Sequence, residues 1–157
     1  MAGAHEPAEA APAAPRTTRD DSFTKADYEA LARFRYGLRL YLRFSERAVR
    51  LVGLTPQQYQ LMLAIKGFPG RDWATVTELS ERLQSSHNSV VGLIDRTEAN
   101  GFVQRQSHPQ DRRSVAVHLS DAGQELLARL VGTHRDELER LQELLRVPPL
   151  RHVAGAE

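Results

Sequence analysis

Gln104–Leu119 reads QRQSHPQDRRSVAVHL, and its interpretation decides how the rest of the chain is understood. Val115, Val117 and Leu119 alternate with Ala116 and His118, the period of a half-buried strand. Phe102 and Val103 begin a similar short run just before it. Between the two runs lie Ser107, His108, Pro109, Gln110 and Asp111, all good turn formers. The stretch predicts a β-hairpin with a charged tip, Asp111-Arg112-Arg113. What such a tip does depends on the elements before it.

Immediately upstream, SSHNSVVGLIDRTEANGF predicts a helix capped by Ser85 or Ser86 and stopped at Asn100–Gly101. Val90, Val91, Ile94 and Leu93 make its buried side. Its first turn, His87, Asn88 and Ser89, is polar and built from short hydrogen-bonding side chains. Before it, RDWATVTELSERLQ predicts a short helix that starts at Thr75 and Glu78 and faces Val76, Leu79 and Leu83 inward. A short helix, a tight turn and a helix with a polar first turn make a helix-turn-helix. A two-stranded hairpin behind it makes a winged helix. The second helix of such a motif presents its N-terminal residues to base edges in the major groove. Ser, Asn and His have the donors and acceptors for that task. Arg96, further along, is placed either for a phosphate or for a neighbouring acid such as Asp95 or Glu98. Gly92 offers close approach at little bulk. The wing then lies over the adjacent minor groove, whose negative potential rewards inserted arginine. Asp111 is expected to hold an arginine by a charge-assisted bond.

Longer helices flank this unit. Thr24 and Asp27 open one that runs to about Val52 and is ended by Gly53, with Leu31, Phe34, Leu38, Tyr41, Leu42, Ala48 and Leu51 at three- and four-residue steps. Tyr36, Leu40 and Phe44 lie off that stripe, so this helix sits deep in a core or packs on a second subunit. Thr55, Pro56 and Gln58 open another helix, with Leu61, Met62 and Ile65 as its core face. After the hairpin, Ser120 caps a stripe of Leu126, Leu127, Leu130, Val131, Leu138, Leu141, Leu144 and Leu145. Gly132-Thr133 is expected to divide it into two helices, and Pro148-Pro149 to end the last. The fold class is therefore mainly α with a small β-hairpin: a winged helix-turn-helix carried on long helices.

Composition narrows the function. The 157 residues include no cysteine, which removes disulfides, thiolate metal sites and thiol chemistry. Net charge is only +1, so nucleic-acid binding has to rest on where charges sit. Arginine makes up 19 of the 21 basic residues, a bias that a GC-rich genome explains, so each arginine needs positional support. Residues 1–20, rich in Ala and Pro, are expected to be a disordered tail without the features of a signal peptide, and 21–157 a single domain. No run reaches membrane-spanning length, and the expected location is the cytoplasm. No cofactor is expected. His87, His108, His118 and His134 lack the close pairing of a metal site. Neither a local Ser-His-acid cluster nor a Gly-rich phosphate loop is present, so an enzyme is not expected.

Four stretches in order, GLTPQQYQLMLAI, TVTELSERL, SVVGLIDRTEANGFVQR and DRRSVAVHLSDAG, resemble the MarR (multiple antibiotic resistance regulator) family of winged-helix transcription regulators. The resemblance covers roughly residues 25–146. It implies dimerisation helices at about 24–52 and 121–147 around a winged helix-turn-helix at about 54–119. It also implies a homodimer that acts on double-stranded DNA at a near-palindromic operator. Ser86, His87, Asn88, Ser89, Arg96, Arg112 and Arg113 are the DNA-binding candidates, and Asp111 orients Arg113 in the minor groove. A ligand-responsive repressor is the expected function; a winged helix used only for protein–protein assembly is the alternative. The family often carries Leu where this chain has Thr97, which weakens packing under the recognition helix slightly. Tyr36, Tyr41, Phe44, Tyr59, Met62 and Trp73 are candidates either for a pocket that takes a small aromatic or phenolic ligand or for ordinary core.

Overall fold

The computed structural model describes residues 23–111 and 113–149. The proposed tail at 1–20 lies outside them. Each helix starts where its capping residues stand. Thr24 accepts from the backbone of Asp27, whose carboxylate returns a bond to Thr24, and α1 runs Lys25–Leu51. Thr55 and Gln58 do the same for α2, Pro56–Lys66. Thr75 and Glu78 cap α3, Val76–Arg82. Ser86 caps α4, His87–Ala99, and Ser120 caps α5, Asp121–Leu141. Gly101, at φ +80°, turns the chain out of α4 in a left-handed conformation that a side chain would strain.

Three short strands complete the unit: β1 (Trp73–Thr75), β2 (Val103–Ser107) and β3 (Val115–Leu119). They form one antiparallel sheet in the order β1-β3-β2, with Trp73 opposite His118 and Gln104 opposite the same His118 on the other side. The hairpin is the predicted one. β1 was not predicted, because three residues ahead of a helix cap carry no periodicity. The added strand makes β3 central, so Ala116 is buried with Val117 and Leu119 while Val115, at the tip end, is exposed. Gln84, at φ 50°, makes the tight turn from α3 to α4.

The core gathers Leu61, Met62 and Ile65 of α2, Leu79 of α3, Val90 and Ile94 of α4 and Val117 of β3, with Leu126, Leu127 and Leu130 of α5 against it. In α4 the sheltered residues are Val90, Leu93, Ile94 and Thr97, whereas Val91 is half-exposed. Thr97 is fully buried, and its hydroxyl donates to the Leu93 carbonyl at 2.7 Å, so the polar group is satisfied within its own helix.

The expected break at Gly132-Thr133 is absent: α5 is one helix from Asp121 to Leu141. A glycine costs a helix only about 1 kcal/mol, and Leu130 and His134 are buried on either side of it. The chain then leaves α5 through turns at 142–145, before Pro148. Leu31, Leu42, Leu51, Val131 and Leu138, read as part of the helical apolar stripes, are all exposed.

Candidate nucleic-acid interface

The first turn of α4 is organised by its cap. Ser86 Oγ accepts the Ser89 backbone N–H at 3.2 Å and lies 2.8 Å from Ser89 Oγ. The two hydroxyls thus engage each other as well as the backbone. His87 and Asn88 are exposed, and among the described residues their side chains have no hydrogen-bond partner. Arg96 sits lower on the helix in a groove of about 280 Å³ with Thr55, Gln57, Ser85, Ser89 and Leu93, between the start of α2 and α4. Gly92 makes room for that arginine rather than for an outside group: a Cβ there would stand 3.3 Å from Arg96 Nη1.

A residue that the sequence reading passed over explains why Arg96 is free. Arg105, on β2, places one guanidinium nitrogen on Glu98 and another on Asp95, while its backbone N–H donates to Glu98 at 2.9 Å. Both acids expected to compete for Arg96 are therefore occupied, and Arg96 has no acidic partner among the described residues. The same staple fastens the wing's first strand to α4. No local pattern in the sequence announces it, because Arg105 is seven residues from Glu98 and ten from Asp95.

At the wing tip, Asp111 acts differently from the expectation. Its carboxylate accepts the Arg113 backbone N–H at 2.9 Å and the Ser114 hydroxyl at 2.9 Å. It organises the main chain around Arg113, not the guanidinium. The bond from the Arg113 backbone, then that from Ser114, holds the Asp111 carboxyl below the usual aspartate range, with little opposition from burial. The Arg113 side chain is exposed and unpaired among the described residues. Arg112 lies outside the described residues.

The six aromatic and Met candidates for a pocket do not come together. Met62 is core, Tyr36 is 57% exposed, and Trp73 lies in the sheet beside the wing. Tyr41, Phe44 and Tyr59 surround the buried His134, which stacks on Tyr59 at 4.6 Å and bonds the Leu130 carbonyl and Ser45. Burial, then the neighbouring Tyr41, pushes the Tyr59 hydroxyl up to about 12. Beside this cluster, Phe44, Arg47, Leu51, Leu126, Arg129 and Thr133 line an open, mainly apolar groove of about 510 Å³ between α1 and α5.

Comparison with known proteins accords with this geometry. A family model described as the MarR family matches residues 52–114, the whole helix-turn-helix and most of the wing tip. Over those residues this chain is similar to the MarR family. Among curated relatives, an uncharacterized HTH-type transcriptional regulator, YkoM of Bacillus subtilis, is 28% identical over 76% of this chain and 78% of its own length. The HTH-type transcriptional repressor YetL of the same organism is 25% identical over 58% of this chain, a match that spans 54% of YetL. The fold matches that of AbsC, a MarR family transcriptional regulator from Streptomyces coelicolor, with a TM-score of 0.64 at 22% identity, over 80% of this chain and 84% of AbsC. The chain is a transcription regulator with a DNA-binding winged helix, not an enzyme. Among the described residues, no helix is long and apolar enough to cross a membrane.

Proposed function

We propose that this protein is a cytoplasmic, homodimeric, ligand-responsive repressor of the MarR family that reads a near-palindromic operator. The observation that carries the DNA-reading part is the set of side chains left without partners on one motif. His87 and Asn88 open α4, Arg96 is relieved of its acids by Arg105, and Arg113 stands unpaired on the wing. On this reading His87, Asn88 and Ser89 face base edges, with Ser86 holding the turn. Arg96 takes a phosphate, and Arg113, joined by Arg112, enters the minor groove.

Dimerisation is assigned to α1 and to α5 with the turns after it, around a winged helix at about 54–119. The exposed Tyr28, Leu31, Leu42, Val131 and Leu138 support this division, since they leave apolar surface on both long helices. The groove between those helices, apolar with Arg47 and Arg129 on its lining, has the chemistry for a small aromatic acid. A ligand seated there would favour a lobe spacing that no longer matches two half-sites. The name of YetL supports repression as the sign of control.

The test is salt-dependent binding of wild type and Arg113→Ala to the DNA upstream of the protein's own gene. Losing one groove or phosphate charge should flatten the log–log salt slope by about 0.9 and weaken specific binding. Specific binding that is indifferent to the substitution removes Arg113 from the interface. Weak, sequence-independent binding equal in both proteins favours a winged helix used for protein assembly.

A further inference from the structure

The wing's loop is held from below by residues outside the set expected to touch DNA. His108, the first residue after β2, donates its backbone N–H to the Ser114 carbonyl at 3.2 Å and so closes the loop. Its Nδ1 accepts the backbone N–H groups of Gln110 at 3.1 Å and Asp111 at 3.0 Å. An imidazole nitrogen that accepts two N–H groups carries no proton of its own, so this turn requires the neutral ring with its proton on Nε2. Asp111, once placed by that contact, takes the Arg113 backbone N–H and the Ser114 hydroxyl. His108, Asp111, Arg113 and Ser114 are therefore linked by one chain of bonds that begins at Nδ1 of His108.

The ring itself is braced. It stands nearly perpendicular to Trp73, with centroids 4.9 Å apart and planes at 87°. Trp73 is in turn covered by the Arg71 guanidinium at 3.9 Å, which also lies 4.3 Å from the Phe68 ring and is paired with Glu78. Glu78 is the acid of the α3 capping box, and Arg82 near the end of α3 lies over the other partner, Phe68, at 4.5 Å. The stack thus runs without a gap from the first helix of the helix-turn-helix to the root of the wing. Among the described residues, the charged and titratable groups that face His108 are Asp111 across the loop and, past the indole, Arg71, with His118 at 6.2 Å from Trp73.

We propose that His108 and Trp73 are positioning residues for DNA binding: the neutral imidazole, braced by the indole, shapes the loop that presents Arg113. The proposal rests on the reading that the wing engages DNA. It makes the wing's contribution dependent on an acceptor at residue 108, because Nδ1 faces two backbone N–H groups.

The experiment pairs DNA binding with a readout that needs no DNA. Trp73 is the only tryptophan, so the emission reports on its surroundings, His108 among them. At neutral pH it should change in His108→Ala, which removes the ring that stands against the indole at 4.9 Å. The change should be larger than that in His118→Gln, whose ring lies at 6.2 Å. In binding, His108→Ala should lose about tenfold in affinity and flatten the salt slope toward that of Arg113→Ala. His108→Asn should restore both at neutral pH, because an Asn carbonyl accepts the N–H two residues on. Trp73→Phe should retain most affinity, and the His108→Ala/Arg113→Ala double variant should bind like Arg113→Ala alone. An emission unchanged in His108→Ala, additive losses in the double variant, or a silent His108→Ala beside a weakened Arg113→Ala overturns the proposal and leaves the DNA reading standing. Wild type that fails to bind DNA while its emission responds to His108→Ala overturns the DNA reading and not the pairing.

Discussion

α1 runs for 27 residues and shelters two of them, Gly37 and Val49; α2 runs for 11 and shelters five. Both helices have capping boxes and apolar residues at helical spacing, yet α2 finds far more of its partners inside the chain. Leu61, Met62 and Ile65 are fully buried against α3, α4 and the sheet, while Leu31 and Leu42 of α1 are more than half exposed. The winged helix is thus closed by its own residues, whereas the long helices carry apolar surface that a second molecule would have to cover. Periodicity identifies the helix in both cases, but it does not say on which side of a subunit boundary the partner lies.

The largest effect that separates the two regions should come from matched truncations. Leu61→Ala opens a cavity in a closed core and should cost about 3 kcal/mol, read from urea unfolding and independent of protein concentration. Leu42→Ala should leave a far smaller change in any one-chain unfolding step. It should instead weaken self-association in analytical ultracentrifugation and lessen the dependence of Tm on concentration. Equal, concentration-independent costs would break the contrast.

A second substitution tests how rigidly the regions are joined. Gly123, on the first turn of α5, lies so close to the Phe102 carbonyl that a Cβ would stand 2.0 Å from its oxygen. Gly123→Ala has to displace backbone and should cost about 2 kcal/mol in the same unfolding measurement. A neutral outcome would mean that α5 shifts freely against the winged helix.

A third effect is confined to alkaline pH and is absent at neutral pH. Tyr59 of α2 meets His134 of α5 and is raised from 10.0 to about 12. A folded value above the unfolded one means that its stabilisation is complete below pH 10 and is lost as pH rises toward 12. Tyr59→Phe should remove that decline, a difference on the order of 2 kcal/mol at the alkaline end. An unchanged profile would place the alkaline sensitivity elsewhere.

Short-range chemistry was legible throughout. Thr24, Thr55, Thr75, Ser86 and Ser120 mark helix starts because each cap is satisfied within three residues of itself. The hairpin is legible for the same reason, its two runs being separated by turn residues. By themselves, these residues determined the order of elements, the winged helix and the polar first turn of α4. Tertiary structure alone decided the rest. Pairing across the fold created β1 and placed β3 at the centre. Burial on both sides of Gly132 carried α5 through a glycine that local propensity would have broken. Ion pairing across elements gave Asp95 and Glu98 to Arg105 and left Arg96 open, and packing set Trp73 beside His108. Each of these follows from contacts between residues distant in the chain, whose energies depend on geometry that no local spacing encodes.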